Sequence, residues 1–274
     1  ACYVISKNQS SSPICFKCIE DDVSSKESKL LKLVSLPTPN SQLYTPELDK
    51  LSIIPGFPIA YWLQDEFINL FREEEALVEF ANIQRGLFTA DDFRFVRLWF
   101  EVAAVDMGMD HWGTFSKGGS NVAYYRTPDS VVNAKKDFSE LSQYIVDKYP
   151  YLNGNPSFVL HLENDYGKEG FTYTLRTSSR LAIRTLSQDS YFANKGPAIF
   201  IDNSSQAIAS LLNTSSFMEI VELFMGRADG GARQYDVKVL NKVPIPRMSE
   251  EVKEELRLLF TECVMLTEEM QSNL

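Results

Sequence analysis

Residues 170–186 read GFTYTLRTSSRLAIRTL, and this stretch decides the fold class. Aromatic and β-branched residues recur at 171–176 and 181–186, which is typical of two short strands. A third strand is predicted at 198–201, after the turn residues Gly196-Pro197. The stretch therefore predicts an antiparallel β-meander.

Helical patterns lie on both sides of this meander. Helices are predicted at 26–36, 61–71, 128–149 and 206–226, and further strands at 2–6, 14–19, 83–89, 95–105, 122–126 and 235–239. The last segment is strongly amphipathic, because its apolar residues recur at helical spacing: Val252, Leu256, Leu259, Cys263, Leu266 and Met270. The predicted class is α+β, a mostly antiparallel β-meander domain with flanking helices and a C-terminal amphipathic helix.

The net charge of −10 argues at first against nucleic acid, whose phosphates attract Lys and Arg. The excess of acidic over basic residues, however, lies at the two ends of the chain. Residues 1–79 carry 7 basic and 12 acidic groups, residues 247–274 carry 3 and 7, and residues 80–246 carry 17 and 18. Within the nearly neutral middle, residues 170–188 contain three arginines and no acid. A local basic face is therefore compatible with the composition.

The sequence contains no apolar run of the roughly 20 residues that a membrane span needs. The start, Ala1-Cys2-Tyr3-Val4-Ile5, reads as a strand entered midway, so we expect a piece of a longer, cytoplasmic protein. Cys15-Phe16-Lys17-Cys18 lacks a second ligand pair, so reduced thiols are expected and no metal site is predicted.

Four segments, in order, resemble the region that follows the catalytic domain in BREX phage-defence methyltransferases and their Type IIG restriction–modification relatives. Residues 54–62, IPGFPIAYW, are similar to the family's Ile-Pro-Gly-Ser-Pro-Ile-Ala-Tyr-Trp stretch. Residues 84–99, QRGLFTADDFRFVRLW, resemble the block that opens its target-recognition domain. The other two are Lys117-Gly118-Gly119 and the Thr-Tyr-Thr…Arg-Thr signature at 172–177. Ala90 and Phe93 depart from the family pattern, so the turn after Thr89 is expected to differ.

The resemblance implies a division into three parts. Residues 1–79 would be the end of a methyltransferase domain with a helical connector, 80–246 a target-recognition domain, and 247–274 a spacer helix. It also implies a parent enzyme that methylates adenine in DNA with S-adenosylmethionine as cofactor.

This chain itself shows no catalytic or cofactor motif, so no catalytic residue is predicted and its status as an enzyme stays open. Adenine methyltransferases hold the flipped base with an Asn/Asp-Pro-Pro-Tyr/Phe motif. Asn155-Pro156-Ser157-Phe158 lacks the second proline and follows a loop. No Gly-rich turn after an apolar strand is present to receive S-adenosylmethionine, so no cofactor is predicted in this chain.

Arginines of the acid-free meander are the leading candidates for DNA contact, because base edges and phosphates are read by such donors. The leading set is Arg176, Arg180 and Arg184, together with Thr174. If residues 171–176 and 181–186 pair, alternation places Arg176, Thr172 and Thr174 on one face, and a merely solvated sheet face is an equally good interpretation. Phosphate candidates of second rank lie in or beside loops: Lys117, Arg126, Lys195, Arg227 and Arg233.

The sequence thus predicts a module that recognises double-stranded DNA and presents an adenine to the methyltransferase domain of the same parent protein. The acidity and the amphipathic C-terminal helix leave an alternative open, a protein-interaction module of a defence complex that contacts other defence proteins and has no DNA binding of its own. An independent enzyme such as a nuclease is a third hypothesis, which requires a cluster of acids in a pocket.

Overall fold

The predicted α+β class is confirmed in a computed structural model of the protein. The structure describes residues 14–16, 22–35, 43–58, 60–119, 121–202, 205–225 and 232–273. The chain divides between Glu74 and Glu75 into two compact units, each described here by itself. No helix in the described ranges is both long and apolar enough to cross a membrane.

In the first unit, Tyr61 contacts both strands of a two-stranded antiparallel ladder. The elements of this unit are β1 (Cys15–Phe16), α1 (Lys26–Ser35), β2 (Leu43–Tyr44), α2 (Leu48–Leu51) and α3 (Asp65–Glu73). The Tyr61 hydroxyl donates a hydrogen bond to the Phe16 carbonyl at 2.8 Å, and its ring lies 5.3 Å from that of Tyr44. The helix predicted at 61–71 begins only at Asp65. The strand predicted at 2–6 lies outside the described residues.

The second unit holds ten strands and seven helices within its described residues. The strands are β3 (Ala81–Gln84), β4 (Val96–Leu98), β5 (Trp112–Ser116), β6 (Ser130–Asn133), β7 (Gly170–Thr172), β8 (Arg176–Thr177), β9 (Arg184–Leu186), β10 (Ser190–Phe192), β11 (Ala198–Ile201) and β12 (Arg233–Gln234). The helices are α4 (Asp92–Phe95), α5 (Lys135–Lys148), α6 (Ser157–Leu160), α7 (Ser205–Leu212), α8 (Ser215–Glu222), α9 (Val237–Leu240) and α10 (Glu250–Ser272).

These strands form two four-stranded sheets and one short ladder. The first sheet has the order β10-β5-β6-β4, in which β10 and β5 are parallel, and the second has the antiparallel order β3-β11-β7-β9. The ladder pairs β8 with β12. Helix α5 shares a buried cluster with the first sheet, in which Phe138, Leu141 and Ile145 pack with Phe115 and Val132. The pairing considered for 171–176 and 181–186 occurs between β7 and β9, where it joins residues 170–172 to residues 184–186.

Several predicted elements differ from the structure. The strand predicted at 95–105 ends at Leu98 and continues as two 3-10 turns, which leave Trp99, Phe100 and Val105 exposed. Segment 122–126 forms only an isolated bridge, between Tyr124 and Arg184. The strand predicted at 235–239 is replaced from Val237 by helix α9. The segment predicted as a helix at 128–149 contains strand β6 first, and helix α5 begins only at Lys135.

The helix predicted at 206–226 is split into α7 and α8 at Asn213-Thr214. Thr214 caps α8, because its hydroxyl accepts a hydrogen bond from the Phe217 amide at 3.2 Å. Asn213 turns away from the helices, and its amide accepts from the Ile183 N–H at 2.8 Å and donates to the Ile183 carbonyl at 3.0 Å. The break between α7 and α8 thus lets the Asn213 side chain bond the Ile183 backbone, as the backbone of a neighbouring strand would.

Helix α10 is confirmed, but the face that packs differs from the predicted stripe. Phe260 is 1% exposed and lies 5.5 Å from the rings of Tyr124 and Phe171. Near the helix end, the Gln271 amide donates to the Tyr125 carbonyl at 2.9 Å. These contacts rotate the packed face, so four predicted stripe residues stay exposed: Val252, Leu259, Leu266 and Met270.

Replacing Asn213 by alanine should destabilise the second unit. The Ile183 N–H lies in the interior and loses its partner in Asn213→Ala, which we expect to lower the free energy of unfolding by about 1–3 kcal/mol. Urea denaturation followed by circular dichroism measures this. Asn82→Ala, an exposed change in β3, is the matched control and should be nearly neutral. Equal midpoints for the two variants would contradict the role of Asn213.

Candidate nucleic-acid interface

Two loops that carry lysine and glycine touch backbone to backbone in the second unit. A Cβ atom added to Gly118 would lie 1.9 Å from the Lys195 carbonyl oxygen, and one added to Gly196 would lie 2.7 Å from the Gly118 nitrogen. The Gly119 N–H donates to the Thr174 hydroxyl at 3.2 Å. The segments 117–119, 172–177 and 195–196, distant in sequence, therefore meet at one place.

Lys117 is held by the segment that resembles the opening block of the target-recognition domain. Its ammonium group forms an ion pair with Asp92 at 2.6 Å, and the Thr89 hydroxyl donates to the same carboxylate. Burial acts to raise the pKa of Asp92, but the hydrogen bonds from Lys117 and Thr89 together outweigh it and leave the pKa below its ordinary value. Lys195 is exposed nearby and forms no ion pair with a described carboxylate.

Arg176 and Arg180 are exposed, and neither has a carboxylate partner within the described ranges. Strand β8 pairs with β12, which places Arg176 opposite Gln234 and Thr177 opposite Arg233. The Thr177 hydroxyl also donates to the Asn121 side chain at 2.9 Å, so this ladder adjoins the loop that follows Gly119.

Two of the second-rank candidates are engaged in ion pairs. Arg233 lies 2.9 Å from Glu222, and Arg126 lies 2.7 Å from Asp129. Arg227 lies outside the described residues.

The prediction that Arg176 shares a face with Thr172 and Thr174 is wrong. Both threonines are buried, whereas Arg176 is exposed, because β7 ends at Thr172 and the chain turns before it enters β8. Arg184 is also placed in the interior, where it is 2% exposed. Burial, and secondarily the charge of Arg126, lower the pKa of Arg184 to about 10.

The sequence identified the cations of this region but missed the residues that hold them. The sequence did not indicate Asp92 as the partner of Lys117, and no pattern in it pointed to Asn121. Nor did the sequence indicate that Gly118 and Gly196 meet, although each lacks a side chain where the backbone of the other loop occupies that space.

Other potential sites supply little. Within the described ranges, no group of three or more His, Cys, Asp or Glu side chains is placed to hold a metal ion. Asn155 uses its side chain to accept from the Ser157 amide at 3.0 Å at the start of α6, and Phe158 is exposed.

Two known proteins, both named adenine-specific methyltransferases, are similar to this chain in sequence. The chain is 26% identical over 212 residues to the adenine-specific methyltransferase BrxX of Escherichia coli O9:H4 (strain HS), which covers 74% of this chain and 16% of the relative. It is 25% identical over 232 residues to the adenine-specific methyltransferase PglX of Lacticaseibacillus casei (strain Zhang), with 78% and 19% covered. The resemblance is confirmed. The chain has adenine-specific methyltransferases of this kind as homologues.

The chain spans less than a fifth of the length of these methyltransferase relatives. A solved structure of the Type IIG restriction endonuclease BpuSI aligns with a TM-score of 0.47 and 16% identity over 72% of this chain and 27% of that one. No protein-family model matches the chain.

Gly118→Ala should strongly destabilise the second unit. The added methyl group meets a backbone carbonyl at 1.9 Å and forces the two loops apart, so we expect a loss of about 3 kcal/mol or more in the free energy of unfolding. Gly154→Ala is the control, because its Cβ would lie in open space and only its φ of +82° is unfavourable. That change should cost about 1 kcal/mol. Urea midpoints that place Gly118→Ala at or above Gly154→Ala would show that the loops do not touch.

The Asp92–Lys117 ion pair should make stability depend on pH. Because the folded pKa of Asp92 is lowered, its contribution is complete above the unfolded pKa of about 3.8 and is lost as the pH falls through the folded value. Asp92→Asn should therefore melt below wild type at pH 7, and the gap should narrow progressively as the pH falls below about 4. Differential scanning fluorimetry across this range measures both. Asp110→Asn, an exposed aspartate without a described ion pair, is the control; a gap for Asp92→Asn that is as wide at about pH 2 as at pH 7 argues against the ion pair.

Proposed function

We propose that residues 80–246, within the second unit, form the module that recognises double-stranded DNA for an adenine-specific methyltransferase. One observation carries the proposal: the segments that resemble the family's recognition region converge, and exposed Arg176 and Arg180 lie beside them without described carboxylate partners. Adenine-specific methyltransferases are also the relatives that the chain resembles in sequence.

The contact would begin with phosphates. Three cations of this region already have carboxylate partners: Lys117, Arg126 and Arg233. Arg176, Arg180 and Lys195 keep their positive charge available, and the acids of the two chain ends lie outside this stretch. Such unpaired cations displace counterions from DNA and fix the register of a duplex, while guanidinium groups also match the guanine edge in the major groove.

The rest of the mechanism belongs to the parent protein. An adenine methyltransferase must rotate its target base out of the duplex before it can transfer a methyl group from S-adenosylmethionine. This module would hold the duplex so that the adenine faces the methyltransferase domain, within a cytoplasmic phage-defence or restriction–modification enzyme. Residues 1–79 would connect the two, and residues 247–274 would serve as a spacer.

A second candidate function has its own supporting observation. Helix α10 leaves Leu258, Leu259, Met265 and Leu266 exposed within an acidic segment, a surface that suits a protein partner of the same defence system. A protein-interaction module of this kind would have no DNA affinity of its own, so DNA binding that weakens with added salt distinguishes the two functions.

Replacing Arg176 or Arg180 by alanine should weaken DNA binding. Each loss of a charge-assisted contact should reduce affinity roughly tenfold and lower the salt slope by about one unit. Fluorescence anisotropy of this chain on a randomised duplex pool at 50 and 150 mM salt, with sequencing of the retained DNA, measures affinity and recognition site. Arg257→Ala on α10, where Arg257 pairs with Glu254, removes the same charge and should leave binding unchanged.

Steep salt dependence together with an enriched motif containing adenine is the expected result. If affinity is unchanged in both arginine variants, this surface does not contact DNA. If the wild-type chain does not bind at 50 mM salt, the protein-interaction function is favoured, and the same assay on the longer parent protein then decides between them.

A further inference from the structure

A buried guanidinium lines a narrow cleft in the second unit. Arg184 is the largest of the side chains that are almost fully buried, at 2% exposure. Its Nη1 has no hydrogen-bond partner among the described residues, and its Nη2 reaches only the Lys117 carbonyl, at 3.5 Å. A guanidinium carries five N–H donors, so most of its hydrogen-bonding capacity is unused.

The cleft is cationic. It is lined by Ser116, Lys117, Arg126, Asp129, Arg184 and Ser190, and its space of about 20 Å³ is enough for one water-sized group. Asp129 is the single acid of this lining, and it is already engaged by Arg126 at 2.7 Å. Lys117 is engaged by Asp92, which leaves Arg184 as the lining cation without a described carboxylate partner.

A purely structural role does not account for the charge. An unpaired ion in the interior is strongly unfavourable, and an apolar side chain of similar volume fills such a position at no electrostatic cost. The guanidinium therefore gains a compensating interaction only when an anion approaches it through the cleft. The proximity of Arg126 adds to this requirement, because two like charges repel each other until an anion lies between them.

We propose that this cleft, named here the Arg184 cleft, binds a phosphate group, with one non-bridging oxygen inserted to accept from the Arg184 guanidinium. The planar guanidinium fork matches the geometry of phosphate oxygens. The remaining oxygens would lie at the mouth, near Arg126 and Lys117. The inference rests on the proposed function, which makes the DNA backbone the source of the phosphate, although free phosphate has the same chemistry.

The first experiment uses inorganic phosphate alone. At ten times its Kd, phosphate should raise the Tm of the wild-type chain by roughly 3–6 °C relative to chloride of equal ionic strength. Arg184→Met should abolish this rise, and without phosphate it should melt at or above the wild-type temperature. Arg257→Met, on α10, should keep the full response. An equal rise in wild type and Arg184→Met would overturn the cleft as a phosphate site.

The second experiment measures DNA affinity by anisotropy for wild type, Arg184→Met and Arg126→Gln. Arg184→Met should bind about tenfold more weakly or worse, and Arg126→Gln, at the partly exposed mouth, should lose both part of the DNA affinity and part of the phosphate response. The second variant keeps the test valid if Arg184→Met fails to fold.

The two experiments separate the cleft from the proposed function. If wild type binds DNA and neither variant is weakened, the cleft is overturned as a DNA contact while DNA recognition stands. A phosphate response that depends on Arg184 in a chain without DNA affinity would support a free-phosphate site and would favour the protein-interaction function over DNA recognition.

Discussion

The close backbone approach of the loops at 117–119 and 195–196 constrains how the two four-stranded sheets of the second unit join. Strand β5 of the first sheet ends at Ser116, whose carbonyl accepts from the Ala193 N–H at 3.0 Å. From Ala193 the chain continues through Gly196 into β11 of the second sheet. Because neither Gly118 nor Gly196 carries a side chain, the two loops approach to contact distance. The two sheets are therefore joined beside Lys117 and Lys195. A residue with a Cβ at either position would separate the two loops and move Lys117 away from Lys195.

Three arginines of one short stretch end in three different environments. Arg176 follows the end of β7 and enters a separate ladder, Arg180 lies in the exposed turn after it, and Arg184 points inward from β9. Their spacing of four residues is uniform in the sequence, but the chain changes direction between them. Exposure divides their electrostatic roles: a solvated guanidinium attracts a polyanion at long range, whereas a desolvated one acts only at contact distance.

The α+β class, helices α1 and α10 and the β7–β9 pairing could be predicted from sequence, because local periodicity and turn residues determine them. The apolar run at 95–105 misled the prediction, since its aromatic residues are exposed on 3-10 turns instead of buried in a strand. The presence of candidate cations was likewise predictable from composition. Their partners were not, because Asp92 and Lys117 meet only through the tertiary fold, as do Arg233 and Glu222. The packed face of α10 was misassigned for the same reason: polar Gln271 contributes to it.

The side chain of Asn213 also affects how this protein meets copies of itself. Strand β9 lies at the edge of its sheet, and such an edge normally presents free backbone groups on which another chain can add a strand. Here the Ile183 N–H and carbonyl are bonded to the Asn213 amide, and the Thr185 N–H donates to the Tyr124 carbonyl at 2.8 Å. One amide side chain and one bridging residue thus close residues 183–185 to strand addition, and protect this edge from the intermolecular pairing that leads to aggregation.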